Sequence, residues 1–331
     1  MPEGFKMSKK ILLLDESGIF IRNALGCTKD LETSDGLTTG GVFGYINTVL
    51  GVLARFKPDH IIAAIDSKQR QLFRKDRFPA YKANRKKNMK EEIKDWEFQK
   101  KQLQKFHELF CIPMVEVPGY EADDVIASLA TQYSKDGHQV FILSKDKDFV
   151  QLINKNTKLI ILGKHDQAEN FEVIDHKDDL ANVFGVDPKK ADFYQCLVGD
   201  VCDNVPGCPG VGPAAAKKIL AKYGTLEEMY KNLDDEELFC DKKGKPNKIK
   251  DTLTRSLTNE EIEKYMLEKT EIRTIKQLIQ ISRELVRLDK SLNLNRNLLL
   301  KDYWSEINPE KLIGFFEDLE FHSFIMLLKG E

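Results

Sequence analysis

Three short apolar runs in the first half of the chain each end in acid. Residues 11–14 meet Asp15, residues 61–65 meet Asp66, and residues 140–143 give way to Ser144-Lys145-Asp146-Lys147-Asp148. Runs apolar at every position fit strands covered on both faces, which means a mainly parallel sheet flanked by helices. Helix-like stretches lie at 40–56, 95–110 and 121–133. That alternation predicts a doubly wound α/β unit. The ligand crevice of such a sheet lies beyond the carboxyl ends of its strands, and that is where the acids fall.

At 331 residues the chain has room for about two domains. Near Asp187 the pattern changes to helical segments separated by a Gly/Pro cluster, which predicts an α/β core over 1–186 and a helical region over 187–331. A lysine-rich stretch between Asp241 and Asp251 reads as a surface loop or insertion. Only four consecutive apolar residues precede Asp15, and no stretch approaches the ~20 apolar residues of a membrane span. The expectation is a soluble, cytoplasmic monomer with no membrane partner. The six cysteines form no C-x-x-C pair and have no histidines beside them, so free thiols are expected rather than a zinc or iron-sulfur site.

The acids form four clusters: Asp15 with Asp66; Glu121, Asp123 and Asp124 in GYEADD; Asp146 and Asp148 in SKDKD; Asp200 and Asp203 in GDVCDN. Taken singly, each has a plainer role as a helix cap, a first-turn acid or a turn residue. Taken together, nine carboxylates in one crevice would repel each other unless cations neutralise them. Carboxylates without Cys or His select hard ions, so Mg²⁺ is expected and Mn²⁺ can substitute. Two such ions suit hydrolysis of a phosphodiester.

Two further features fit a polyanion. The segment from Gly207 to Lys218, within a predicted hairpin at 206–220, sets Gly210 and Gly212 ahead of an alanine-rich helix that carries Lys217 and Lys218. Glycine admits a phosphate close to backbone N–H groups, and the helix dipole favours it; an ordinary helix connection is the plainer alternative. Residues 68–87 hold nine Lys/Arg against one acid, in a chain whose net charge is only -2. Phe73, Phe78 and Tyr81 are interleaved with Arg70, Arg74 and Lys82, which suits backbone neutralisation plus stacking on unpaired bases. A solvated basic face is the plainer alternative.

In this order, LLLDESGIFIR, AAIDSKQRQLFRKDRFPAYKANR, GYEADDVIASLA, SKDKDFVQLI and LVGDVCDNVPGCPGVGPAAAKKIL resemble the 5′-nuclease family. That family includes the nuclease domain of bacterial DNA polymerase I and the flap endonucleases of bacteria and bacteriophages. The resemblance runs from about residue 10 to 328, and no polymerase segment follows, so a free-standing member is expected. It implies a PIN-like core, a helical arch over about 68–110 and a helix-three-turn-helix element at the hairpin, often with K⁺. It also implies Mg²⁺-dependent cleavage near 5′ ends of branched, flapped, nicked or gapped DNA, in replication or repair, with RNA/DNA hybrids as a further substrate. By motif, Asp15, Asp66, Glu121, Asp123 and Asp124 would serve one metal, and Asp146, Asp148, Asp200 and Asp203 the other. Arg22, Lys82 and Arg85 match the positions that hold or polarise the scissile phosphate, with Tyr81 beside them. The family's usual glycine after the first aspartate is here Glu16. A non-catalytic junction-binding module and an RNA-directed nuclease are the rival readings.

Overall fold

The computed structural model describes residues 8–26, 28–69, 73–84, 89–163, 171–175, 185–234, 248–295, 298–300 and 304–330. Strands β1 (Lys10–Asp15), β2 (His60–Ala64), β3 (Met114–Val115), β4 (Gln139–Leu143), β5 (Thr157–Leu162) and β6 (Phe171–Ile174) form one sheet. Its order is β3-β2-β1-β4-β5-β6, parallel throughout except for the antiparallel β5–β6 pair. Helices α1 (Glu16–Ala24), α2 (Gly40–Phe56), α3 (Phe73–Arg77), α4 (Met89–Glu92), α5 (Trp96–Leu109) and α6 (Ala122–Lys135) occur in the first half. In the second half come α7 (Ala191–Val198), α8 (Pro213–Lys222), α9 (Leu226–Lys231), α10 (Lys248–Thr254), α11 (Asn259–Lys264) and α12 (Ile275–Val286). The last two are α13 (Pro309–Asp318) and α14 (His322–Lys329).

The three strands expected from apolar runs are β1, β2 and β4, at the centre of the sheet. β1 is buried from Ile11 onward and β2 along its whole length, because helices cover both faces. β3, β5 and β6 carry weaker signals. β3 has two residues, and the edge strand β6 exposes Glu172 between buried Phe171 and Ile174.

The chain divides into two compact units, and neither is continuous in sequence. One takes Met1–Lys68, Lys87–His176 and Asp289–Glu331; the other takes Gln69–Lys86 and Lys177–Leu288. In the sheet unit, α13 and α14 bring Phe315, Phe316, Phe321 and Phe324 into the same apolar core as Leu12, Leu14 and Val49. Helix α5 also belongs to this core: Leu103 and Phe106 are fully buried, so Trp96–Leu109 is a packed layer helix and not a span of an open arch. The helical unit is built around Phe193, Leu197, Ile219, Leu278 and Ile279, with Phe78 and Tyr81 packed into the same cluster.

Polar contacts fix α5 in place. Gln99 Oε1 accepts the Gly41 N–H at 2.8 Å, and Tyr45 Oη lies 2.9 Å from His107 Nε2. Burial first, and then the Lys100 charge, hold His107 down at about 3. It is therefore neutral, and of its two ring nitrogens Nε2 shares the hydrogen bond with the Tyr45 hydroxyl, leaving Nδ1. That Nδ1 is buried with no hydrogen-bond partner. In the unfolded chain His107 takes up a proton near its ordinary 6.5, so its neutral burial favours the fold above that pH and progressively disfavours it as pH falls toward 3. The urea midpoint is expected to fall between pH 7 and pH 5, with a shallower fall in His107→Gln, which keeps a neutral hydrogen-bonding partner for Tyr45. Equal slopes in the two proteins would exclude His107 as the source.

Candidate metal and phosphodiester site

Three strand ends and one helix start are wired together in the sheet unit. Asp15, the last residue of β1, caps α1: its Oδ1 accepts the Gly18 N–H at 2.9 Å. Its Oδ2 accepts the Ser144 hydroxyl at 2.6 Å, and the same Ser144 oxygen accepts the Asp146 N–H at 3.0 Å. Asp146 in turn accepts the Asp148 N–H at 2.8 Å. Asp66, beyond β2, accepts the Ala122 N–H at 3.0 Å where α6 begins. Glu121 is buried immediately before α6, and Asp123 and Asp124 lie in its first turn. Asp124 is fully buried and accepts the Asp289 N–H at 2.8 Å.

Capping is thus real for several of these acids, and it does not exclude a ligand role. A backbone N–H that holds one carboxylate oxygen fixes the orientation of the group, which is what a coordinating side chain needs. Burial, reinforced by the charges of Asp66 and Asp146, pushes Asp15 up to about 6, although bonds from Ser144 and Gly18 pull the other way. Asp15, Asp66 and Asp146 therefore share one electrostatic neighbourhood. Among the described residues no three His, Cys, Asp or Glu side chains are already gathered as a metal-ligating group. The donors are all carboxylate oxygens, and their mutual repulsion is of the kind a hard divalent cation relieves, so the residues fit such an ion.

Glu16 does not join this set. Its buried carboxylate holds the Lys100 ammonium, at 2.6 Å from Oε2, and accepts the Ser17 hydroxyl at 3.2 Å. Arg22, expected at the phosphate, donates to the carbonyl of Gly163 just beyond β5.

The helical unit carries the other expected residues. Asp200 and Asp203 lie in a tight turn closed by reciprocal backbone bonds between Asp200 and Val205. Gly199 and Gly207 both have positive φ, and a Cβ on Gly207 would meet the Gly199 nitrogen at 2.5 Å, so this turn requires glycine. Lys82, itself left-handed, donates its N–H to the Asp203 carbonyl at 2.9 Å and sets its ammonium 3.4 Å from the Asp203 carboxylate. Asn84 donates to the Val201 carbonyl and Asn204 to that of Ala80. Gly210, with φ +77, and Gly212 leave open space where a Cβ would stand, and Lys217 and Lys218 are exposed on α8.

Arg74 and Tyr81 differ from the expected nucleic-acid contacts. The Arg74 guanidinium is buried and donates to the carbonyls of Leu285 at 2.9 Å and Arg287 at 3.1 Å, closing the C-terminal end of α12. Tyr81 is buried too, with its hydroxyl donating to Asp203 at 3.2 Å. Phe78 is likewise core. A count of charges and rings along a segment does not report which of them a neighbouring helix covers. Arg70 and Arg85 lie outside the described residues, as does much of the lysine-rich stretch.

The sequence reading missed Gly18, Ser144 and Lys100. The first two had a signal: Asp15-x-x-Gly18 and Ser144-x-Asp146 are cap and turn spacings. Lys100 had none, since its partner is 84 positions away.

Residues 10–183 match the family model described as the 5′-3′ exonuclease N-terminal resolvase-like domain, and residues 186–303 the one described as the 5′-3′ exonuclease C-terminal SAM fold. The chain belongs to the 5′-3′ exonuclease family. It is 35% identical to a 5′-3′ exonuclease of Aquifex aeolicus over 224 residues, which cover 68% of this chain and 73% of that protein. It is also 35% identical to DNA polymerase I of Caldicellulosiruptor bescii over 68% of this chain, yet only 26% of that much longer protein. In fold, this exonuclease-family chain resembles T5 5′-exonuclease with bound divalent metal ions (zinc): TM-score 0.60, 17% identity, 94% of this chain and 98% of the other. The catalytic core of Rad2 in complex with DNA substrate is similar at TM-score 0.55 and 17% identity, covering 94% and 88%. The fold is the PIN-like nuclease fold, with a helical SAM-like C-terminal part. Among the described residues no helix is long and apolar enough to cross a membrane.

Gly18 gives the site a direct test. A Cβ there would lie 2.2 Å from Asp15 Oδ2. Helix propensity alone predicts that Gly18→Ala stabilises by about 0.5–1 kcal/mol, whereas the clash predicts a loss of about 1–3 kcal/mol. Thermal and urea unfolding should show the loss; a gain would mean that the Asp15 cap is not held as described.

Proposed function

We propose that the chain is a divalent-metal-dependent, structure-selective 5′ nuclease acting on 5′ ends and 5′ flaps of branched, nicked or gapped DNA. The carrying observation is that Asp15, Asp66 and Asp146 occupy the ends of three adjacent parallel strands and share one electrostatic neighbourhood. Membership of the 5′-3′ exonuclease family supports the same reading. So do the metal ions in the T5 relative and the DNA in the Rad2 complex.

In this reading Asp15, Asp66 and Asp146 hold Mg²⁺ or Mn²⁺ together with Glu121, Asp123, Asp124 and Asp148. Such an ion, when bound, activates water and offsets charge on the phosphodiester. The protein's own contribution is positional. Ser144 and the Gly18 N–H keep both Asp15 oxygens in fixed directions, and the start of α6 does the same for Asp66. Asp200 and Asp203 are assigned the same chemistry from sequence, but they belong to the helical unit, so the proposal for the sheet unit stands on its own seven carboxylates. Lys82 is assigned to the scissile phosphate, where its ammonium would offset the charge that develops during cleavage. Arg22 and Arg85 are assigned to the same phosphate on the family resemblance. Lys217 and Lys218, with the open backbone at Gly210 and Gly212, would hold a duplex backbone without reading bases, with K⁺ at that hairpin. The role is replication or repair, in the cytoplasm and as a monomer.

A 5′-labelled flap incubated with and without Mg²⁺ tests the reading, with matched DNA and RNA flaps side by side. Mg²⁺-dependent product from the DNA flap is expected. Tight binding without product would favour a non-catalytic junction module, and preference for the RNA flap an RNA-directed nuclease. Asp66→Asn and Asp146→Asn should each lower cleavage by about 10²-fold or more while DNA binding persists, on the scale of losing a preorganised stabiliser of the transition state. Lys82→Ala should lower the single-turnover rate by about 10²-fold. Normal rates in these variants would overturn the assignments.

A further inference from the structure

We infer that Lys100 is a positioning residue of the carboxylate crevice: paired with Glu16, it cancels the charge that this chain carries beside Asp15 and ties α5 to the end of β1. The inference rests on the metal reading above and concerns what surrounds that site.

The geometry is specific. Glu16 follows Asp15 directly, opens α1 and is only 4% exposed. A carboxylate buried there, unpaired, would add a further negative charge next to a group already raised by its neighbours. It is instead held by the Lys100 ammonium, which bonds both of its oxygens. The ammonium is itself confined, 5.2 Å from the Phe20 ring centre and 6.0 Å from that of Trp96. Phe20 and Trp96 meet edge to face at 5.4 Å, so the cation lies against an aromatic wall on one side and a carboxylate on the other. Ser17 donates a further bond to Glu16, which leaves the carboxylate little freedom to swing toward the crevice.

The pair reaches beyond itself. Lys100 belongs to α5, the helix that Gln99 bonds to the start of α2 and that His107 bonds to Tyr45. Tyr45 is buried close enough to feel both Glu16 and Asp15, and His107 close enough to feel Lys100. One patch therefore holds the buried Asp15, Glu16, Tyr45 and His107 together with the partly exposed Lys100. Within it Glu16 and Lys100 cancel, and Asp15 alone keeps a charge to present to a cation. The acidic residue at this position is thus a tether and not an extra ligand.

A charge role and a merely structural role differ in sign. Lys100→Met uncovers the Glu16 charge and should tighten Mg²⁺ binding to the DNA-free protein. Glu16→Gln leaves the Lys100 charge uncovered and should weaken it. Each shift is expected to be about tenfold, the order given by one added charge acting on a divalent ion at partly screened range. The double variant Glu16→Gln/Lys100→Met should return near the parent value, and Lys100→Arg should match it throughout. Isothermal titration with Mg²⁺, repeated with Mn²⁺, reads the affinities, and thermal melting confirms folding. Should Lys100→Met fail to fold, Glu16→Gln and the double variant still carry the test, since weakening in the first must be reversed in the second. Weakening in both singles without recovery in the double overturns the charge role, as does no change in any variant. A parent protein that takes up neither ion overturns the metal reading, and this inference with it.

Discussion

Like charges brought to one place must be held there by something other than each other. The structure depends on how it meets that condition at the carboxyl ends of β1, β2 and β4. Asp15 is buried near Asp66 and Asp146, and the fold holds it with a hydroxyl from Ser144 and an amide from Gly18. These two bonds do not cancel the repulsion; burial and charge still dominate, and the carboxyl is pushed up to about 6. Crowding of that kind is what a hard divalent cation would relieve, and this is the physical basis of the proposed metal reading.

The same principle explains why the acids are also caps. An N-cap contributes about 1 kcal/mol to a helix, a modest amount beside the cost of crowding charge. Its larger consequence here is directional. Asp15 caps α1, Asp146 caps the turn that includes Asp148, and Asp66 reaches the first N–H of α6. Helix starts and strand ends therefore converge on the same side of the sheet, as a parallel βα topology requires.

What could be read from sequence follows from burial. β1, β2, β4 and α2 were legible because both faces of the strands are covered and the helix is long. Asp15, Asp66 and the Asp146–Asp148 pair were legible because each lies at or within a few residues of the end of an apolar strand. β3 and β6 were not, being short or half-exposed at the edges of the sheet. Arg74 and Tyr81 were misread for a different reason. Each lies in a basic, aromatic run that looks solvent-facing in one dimension, while α12 supplies carbonyls for one and a core for the other. A long-range pair such as Lys100 with Glu16 leaves no local trace, and the turn spacing at Ser144 does not show that its hydroxyl reaches Asp15, because the fold alone makes these residues neighbours.

Burial of Arg74 also changes what the basic run does. A guanidinium that donates to Leu285 and Arg287 anchors α3 to the end of α12. Phe78 and Tyr81 then fasten the following residues into the helical core, and Asn204 and Asn84 bridge this stretch to the Asp200–Val205 turn. Lys82 sits at the close of that anchored stretch, in a left-handed conformation that a non-glycine residue adopts only where its surroundings enforce it. Its ammonium is therefore placed by packing several residues upstream and not by local charge alone. Lys82 thus has a rigid support of its own. A solvated basic residue can neutralise a phosphate anywhere along a backbone. One fixed beside Asp203 could act only at a defined point, which is the positional selectivity that the proposed phosphate role of Lys82 would need.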